Sequence, residues 1–417
     1  MRQEALGIMA DSRIALEEDR EAKLKIAISA RDAVGTGGGT VAIETARCMS
    51  RLGHDVTLVT DYDVTGLVDG CVALTMPIGN ALRSWDPTSK ILSRFRHLLR
   101  LVLFSIYGQV QLTRLRKNGH ITIDHNIEAF GGDIVVMHNI FTEQSKSDQR
   151  PWLQRVPQYL NPAFSFRIAR ERIALRSSGV SAAVCISEET LTQTAKYSRA
   201  GIELVCIPNG IDLDRYKPVG DDVRKALRFD LAAPDGSFIL LFVAHEFESK
   251  RLDLVIAALE HCDSRAILWV VGGRFSDAKP YADLAEKIGV AGRVEFFGTR
   301  MDVDLFMKTA DCFVFPSNYE TWGMVVLEAL ACGLPVIMTE VGCASSVINE
   351  PHNGFITDQN AIAIARHVDF LLKQPQRMET LRSNCRATAE KFSWPSISEK
   401  YISLIRAISK RKAADGE

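Results

Sequence analysis

Apolar residues recur along this chain in short uninterrupted runs, each followed by a polar or glycine-rich turn and then by apolar positions at helical spacing. The first run, Lys25-Ile-Ala-Ile-Ser29, leads into Gly35-Thr-Gly-Gly-Gly-Thr40. A helical pattern follows through Val41, Ala42, Thr45, Ala46, Met49 and Leu52, and Gly53 stops it as a C-terminal cap. His54-Asp-Val-Thr-Leu-Val-Thr60 reads as the next strand. Strand, glycine loop, helix, strand is the opening of a parallel, doubly wound α/β sheet.

The alternation continues with strands expected at 134–137, 182–186 and 204–207. Pro208-Asn-Gly210 breaks it, and Asp212 to Asp221 is polar with a proline. The count restarts at 238–243, 266–271, 294–297, 312–315 and 335–338, which predicts a second parallel sheet. A last helix is expected at about 397–408, after Phe392-Ser-Trp-Pro395. The predicted organisation is an extension over 1–22, an N-terminal Rossmann-like domain over 23–208, a second over 209–391, and a C-terminal helix over 392–417. No internal repeat or low-complexity tract interrupts it.

Composition narrows the class. A chain of 417 residues, 47% hydrophobic and 24% charged, suits two ordinary globular cores. A formal net charge of −1 gives no global reason to expect a nucleic-acid partner. The nine cysteines are scattered, form no Cys-x-x-Cys pair, and read as reduced thiols of a cytoplasmic protein. Met1 to Glu21 lacks the apolar core of a signal peptide, and no apolar run reaches the roughly 18–20 residues of a membrane span.

The most informative stretch runs from Phe315 to Pro335. A strand ends at Phe315, a polar loop carries Glu320, and a helix is expected to start near Trp322. Gly323 permits close approach to the backbone, and the amides of Thr321, Trp322, Gly323 and Met324 face the start of a helix, where partial positive charge favours a diphosphate. Glu320 precedes the helix and Glu328 lies about two turns along it, so the two carboxylates have different reach. The first suits a sugar at the loop and the second a set of hydroxyls such as a ribose diol.

Glu320, Glu328 and the following Ala329-x-Ala-x-Gly333-x-Pro335-Val336 resemble the retaining family-four glycosyltransferases of GT-B fold. That resemblance implies two Rossmann-like domains facing across a deep cleft. It implies that Glu320 and the amides after it hold the donor sugar and diphosphate, and that Glu328 holds the ribose. Gly37-Gly38-Gly39 resembles the family's N-terminal glycine loop, Ile207-Pro-Asn-Gly-Ile-Asp212 the entry to the second domain, and Phe297-Gly-Thr299-Arg300 the loop beside the nucleobase. Ser393-Trp394 and the final helix resemble the segment that crosses back to the first domain. Lys250 matches the cation that neutralises the diphosphate, with Ala244-His245 standing where Gly-Arg is frequent and Arg251 where a glycine usually follows, so that His245 or Arg251 is a candidate second positive group. His138, ending an apolar strand, resembles the family's active-site histidine, and a strand-capping role fits it equally.

The resemblance further implies transfer of a sugar, with retention, from a nucleotide-diphosphate sugar to the hydroxyl of a glycan or lipid-linked acceptor. No protein nucleophile and no metal are expected. Other readings fit less of the chain. Gly35-x-Gly37 with Asp61 suggests a dinucleotide fold, but Thr40 stands at the third glycine of that fingerprint. Asp61-Tyr-Asp63, Asp212-Leu-Asp214 and Asp302-Val-Asp304 match an Asp-x-Asp metal pattern, for which solvated or capping aspartates are the plainer reading. A catalytically weak nucleotide-sugar-binding subunit is the alternative function. Finally, 91–117 is basic at Arg94, Arg96, Arg100, Arg114, Arg116 and Lys117, with Leu92, Phe95, Leu98, Leu99, Val102, Leu103 and Ile106 at helical spacing. It is a candidate peripheral membrane contact, at the inner face of the membrane, or else a core helix with a solvated basic face.

Overall fold

The computed structural model describes residues 22–32, 37–85, 89–143 and 161–415. The expected extension over 1–22 therefore falls almost wholly outside the described residues, as does Gly35 of the glycine loop. The chain divides into two compact units. The first comprises 1–184, 194–205 and 401–417, and the second 185–193 and 206–400.

The first unit is built on seven parallel strands. In chain order they are β1 (Lys25–Ser29), β2 (Asp55–Thr60), β3 (Val72–Thr75), β4 (Ile121–His125), β5 (Ile134–Met137), β6 (Ala182–Cys185) and β7 (Glu203–Cys206). Their order across the sheet is β3-β2-β1-β4-β5-β6-β7. Ile26 lies opposite both Val56 and Ile121, so β1 is hydrogen-bonded on both edges. Its Ile26, Ala27 and Ile28 are fully buried, as expected of a strand covered by helices on both faces. The glycines open helix α1 (Gly37–Arg51), which packs on β1, β2 and β4. The short α2 (Gly79–Ser84) and the long α3 (Lys90–Lys117) follow β3. Helix α4 (Pro162–Arg176) starts at Asn161, whose side chain accepts from the Ala163 amide. Helix α5 (Glu188–Ala195) follows β6.

The second unit repeats the plan. After α6 (Asp221–Asp230) come β8 (Phe238–Val243), α7 (Leu252–Leu259), β9 (Ala266–Val271), α8 (Phe275–Lys287), β10 (Val294–Gly298), α9 (Val303–Thr309) and β11 (Cys312–Phe315). They are followed by α10 (Met324–Ala331), β12 (Val336–Met338), α11 (Ala344–Val347), β13 (Gly354–Ile356), α12 (Ala361–Leu372) and α13 (Pro375–Glu390). The sheet order is β10-β9-β8-β11-β12-β13, all parallel, with β8 and β9 in register from Phe238↔Ala266 to Val243↔Val271. Leu240, Phe242, Leu268, Val270, Val314 and Ile337 form its dry centre. The last helix, α14 (Trp394–Asp415), begins in the second unit, and from Tyr401 onward its residues belong to the first.

In both sheets the strand order reverses beside the first strand of the unit, between β1 and β4 and between β8 and β11. Loops leaving neighbouring strands part in opposite directions there and open a crevice at the carboxyl ends, where such sheets bind ligands. Both sets of candidate residues fall at these two edges.

Helix α3 departs from the amphipathic reading of 91–117. Its buried stripe is Leu101, Phe104, Leu112 and Leu115, while Leu92, Phe95 and Ile106 of the expected apolar face are exposed. Arg100 is no solvated surface cation. Its guanidinium turns inward to Asp32 at 2.9 Å and to the fully buried Asp61. No helix among the described residues is long and apolar enough to cross a membrane.

Candidate functional site

In the second unit, Lys250 lies in the loop after β8 and Glu320 in the loop after β11. These strands are neighbours, with Cys312 opposite Leu240, so the switch point brings together side chains 70 positions apart. The Lys250 ammonium donates to a Glu320 carboxylate oxygen at 2.8 Å and to the Tyr319 carbonyl at 3.1 Å. The other Glu320 oxygen accepts from the Thr321 amide at 3.0 Å. Their side chains are 21% and 19% exposed, open enough for a ligand and closed enough to strengthen charge contacts.

Gly323 caps α10 with φ +89°, the left-handed region that an L side chain occupies at a cost of about 1–2 kcal/mol. A Cβ there would meet Glu320 Cγ at 3.2 Å. The helix proper begins at Met324, two residues later than the sequence suggests, so Thr321 and the buried Trp322 belong to the loop. The first turn of α10 leaves amides without intrahelical acceptors beside the Lys250–Glu320 pair.

A second loop, invisible in the sequence pattern, braces the first. The Cys343 amide donates to the Trp322 carbonyl at 2.8 Å, and a Cβ on Gly342 would lie 2.6 Å from that carbonyl oxygen. Burial pushes the Cys343 thiol well above its ordinary value, which marks it as packing rather than as a nucleophile.

Glu328 has different company. Burial pushes its carboxyl up to about 7, against the opposing pull of Arg215 and a hydrogen bond with the Tyr216 hydroxyl. Arg215 is held by the Met301 carbonyl at 2.7 Å and Asp304 at 3.4 Å. Neither Arg215 nor Tyr216 emerges from the sequence, because both lie in a polar, linker-like stretch.

The remaining candidates of this unit are placed less directly. Arg251 has φ +59°, a conformation glycine adopts freely, and its guanidinium pairs with Asp253 at 2.9 Å. His245 is exposed in the loop after β8. The Thr299 hydroxyl donates to the Gly273 carbonyl at 2.9 Å, and Arg300 pairs with Asp302 at 2.6 Å over the Phe306 ring. Asp212 caps the amides of Asp214 and Arg215. Among the described residues no group of three or more His, Cys, Asp or Glu side chains is arranged to hold a metal ion.

In the first unit, His138 follows β5 and is 5% exposed. Its Nε2 lies 2.9 Å from Nδ1 of His125 at the end of β4, with the rings stacked. Burial lowers His138 to about 4, and burial and the neighbouring His138 hold His125 well below its ordinary value, so the pair is neutral, one nitrogen donating and the other accepting. Gly38 lies against this pair: a Cβ there would meet His138 Cδ2 at 3.2 Å, and Gly39 beside it is buried in the first turn of α1. His125 was missed by sequence reasoning, because it ends a strand whose polar residues disguise it.

Comparison with known proteins agrees with this fold. The Glycosyltransferase Family 4 model matches residues 35–215 and the Glycosyl transferases group 1 model residues 223–392. A D-inositol 3-phosphate glycosyltransferase of Xylanimonas cellulosilytica is 31% identical over 217 residues, covering 50% of this chain and 52% of that protein. The corresponding protein of Rhodococcus jostii is 30% identical over 210 residues, covering 47% and 46%. The chain thus spans about half the length of the curated relatives it matches. Among solved structures, sucrose-phosphate synthase of Thermosynechococcus elongatus superposes with TM-score 0.73 at 19% identity, over 93% of this chain and 99% of that one. WaaG, a glycosyltransferase involved in lipopolysaccharide biosynthesis, gives 0.70 at 21%, over 91% and 99%. HepE of Anabaena in complex with UDP gives 0.68 at 19%, over 92% and 100%. With both sheets, the glutamate-bearing loop and two family models running almost end to end, the chain belongs to the family-four glycosyltransferases (glycosyl transferases group 1) of GT-B fold.

Proposed function

We propose that this protein transfers a hexose, with retention, from a nucleotide-diphosphate sugar to an acceptor hydroxyl in glycan, lipopolysaccharide or glycolipid synthesis. The observation that carries this reading is the Lys250–Glu320 pair at the switch point of the second sheet, beside the amides that open α10. The leaving group is a nucleoside diphosphate, so the barrier falls when charge developing on its β-phosphate meets fixed positive groups. Lys250 and the amides of Trp322 to Met324 supply them, the Thr321 amide being taken up by Glu320. Glu320 orients the sugar and, with Lys250 still engaged, holds the ammonium toward the phosphate. The acceptor proton leaves with the departing phosphate, and no side chain acts as nucleophile. HepE in complex with UDP-glucose is a neighbour of the same fold.

Product analysis with UDP-, GDP- and ADP-sugars, with anomeric configuration read by NMR, tests the reading. Activity is expected to survive EDTA, because cations and amides already face the phosphates. Loss on chelation with recovery on adding magnesium would assign the neutralising role to a metal. Release of no sugar from any donor would favour the alternative of a binding subunit, a reading supported by the commitment of Arg251 to Asp253.

Glu328 is assigned to the ribose diol. A carboxyl titrating near 7 offers both oxygens as strong acceptors to a diol only when ionised, so nucleoside diphosphate affinity should rise by up to roughly tenfold between pH 6 and 8. Glu328→Gln should bind more weakly and lose that pH dependence. A Gln variant with wild-type affinity and slope, by calorimetry, would remove the assignment. The sign for folding is opposite: the folded state holds this proton more tightly, so ionisation above the ordinary carboxyl range costs stability in the unliganded protein.

Membrane contact is proposed only for the first turns of α3, where Ile91, Leu92 and Phe95 are exposed beside Arg94. Wild-type protein should sediment with anionic vesicles at low salt, and Phe95→Glu should abolish it.

A further inference from the structure

The carboxyl edge of the first sheet carries a cluster of charges that the donor chemistry does not use. Arg31 and Asp32 follow β1, Asp61 follows β2, Glu128 follows β4, Arg100 projects from α3, and Arg167 and Arg170 from α4. Arg31 pairs with Glu128 at 2.9 Å and Asp32 at 2.5 Å, Arg100 with Asp32 and Asp61, and Arg170 with Glu128 at 3.6 Å. With Arg94 and Arg96 earlier on α3, six guanidiniums stand among four carboxylates, the fourth being the buried Asp124 beside Arg170, and Arg96 also donates to the Trp85 carbonyl. The excess is positive and partly buried.

Above this cluster lies a cavity of about 250 Å³ lined, among the described residues, by Ser93, Arg94, Arg96, His97, Arg100 and Asn161. Three arginines, one histidine and two neutral polar groups make up that lining. The carboxylates that pair with Arg100 do not reach it. His97 Nε2 accepts from Arg167 at 3.1 Å, which leaves its remaining proton on Nδ1 as a donor. Burial first, and then the guanidiniums of Arg31 and Arg167, lower His97 to about 4, so the ring is neutral. Among the described residues, Nε of Arg100, which lines the cavity, is a buried donor with no hydrogen-bond partner, as is Nε of Arg167, which does not line it. Buried donors of charged groups are seldom left so without a reason, and an oxyanion satisfies several at once.

We propose that this pocket takes the phosphate of a phosphorylated acceptor, which it holds at the edge of the first sheet that also carries His138. The proposal rests on the transferase reading for the word acceptor; the anion site itself stands on the lining alone. The shared chemistry is a phosphate ester, carried either by a soluble sugar or polyol or by a lipid headgroup.

Titration calorimetry with inorganic phosphate at low salt tests it in three proteins: wild type, Lys250→Ala and Arg94→Gln/Arg96→Gln. Phosphate binding should survive Lys250→Ala and weaken tenfold or more in the double variant. Wild-type phosphate affinity in the double variant, or loss of phosphate binding in Lys250→Ala alone, overturns the proposal. Should the double variant fold poorly by circular dichroism, Arg94→Gln, at an exposed position, should still weaken binding about threefold. Glucose 6-phosphate and phosphatidylcholine vesicles doped with phosphatidic acid then serve as competitors. Displacement by the first assigns a soluble acceptor, displacement by the second a lipid one, and displacement by neither overturns the proposal. Affinity for UDP, GDP and ADP should be the same in the double variant as in wild type. If wild type binds none of these nucleotides, the transferase reading fails while the phosphate result is unaffected.

Discussion

Lys250→Ala is expected to lower kcat by about a hundredfold, the scale of losing one preorganised contact to developing charge. Among the described residues the lysine is the cation paired with Glu320, brought there by two loops leaving adjacent strands. Its removal leaves a half-buried carboxylate facing the leaving phosphate, so affinity for the nucleoside diphosphate should fall as well. Glu320→Gln should lower kcat by a similar factor for a different reason. The amide still accepts from Lys250 but no longer cancels its charge, so nucleotide affinity should be kept or improved while turnover collapses. Steady-state kinetics beside calorimetry separates the two, since equal losses of kcat with opposite changes in affinity are the signature. Turnover within threefold of wild type in either variant would remove that residue from the catalytic set.

The second large effect is expected at Gly342→Ala, a residue that touches no ligand in this reading. Its φ of +59° costs an alanine about 1–2 kcal/mol. The added Cβ meets the Trp322 carbonyl oxygen at 2.6 Å and Glu320 Cγ at 3.0 Å, and the first is backbone, which yields only if the loop shifts. Overpacking of this kind costs roughly 1–3 kcal/mol, and for a domain of this size each kcal/mol lowers Tm by about 2–4 °C. A fall in Tm of about 4–20 °C is therefore expected. Turnover measured well below Tm should drop at least tenfold, because the loop that yields is the one holding Glu320. A variant that loses stability but keeps full turnover would show that Glu320 is not positioned by this brace.

Much of the architecture is legible in the sequence, because parallel strands covered on both faces must be apolar throughout. The reading fails where polar side chains are satisfied inside. Ile121-Thr-Ile-Asp-His125 does not look like a central strand, yet all five residues are buried. Thr122 exchanges hydrogen bonds with Asp133, and Asp124 accepts from the amides of Ala129 and Gly131. With that strand went His125. The edge strand Val72–Thr75, only partly buried, and the three-residue Gly354–Ile356 escaped for lack of length and contrast. The candidate site divides along the same line. Glu320, Gly323 and Glu328 are local in sequence and carry a readable spacing. The Gly342–Cys343 brace and the Tyr216–Glu328 contact come from distant loops, and no periodicity announces a contact made across a sheet edge.

The final helix has a consequence for the way the protein is made. Tyr401, Ile405 and Ile408 are almost wholly buried, and Lys412 reaches Asp133 in the first unit. Burying each of those side chains is worth about 1.5–3 kcal/mol. Chains emerge from the ribosome N-terminal end first, and domains generally fold as units. The first unit, although synthesised early, lacks these three side chains until residue 408 has emerged. Its nascent form must wait through the synthesis of the whole second unit with that apolar surface uncovered.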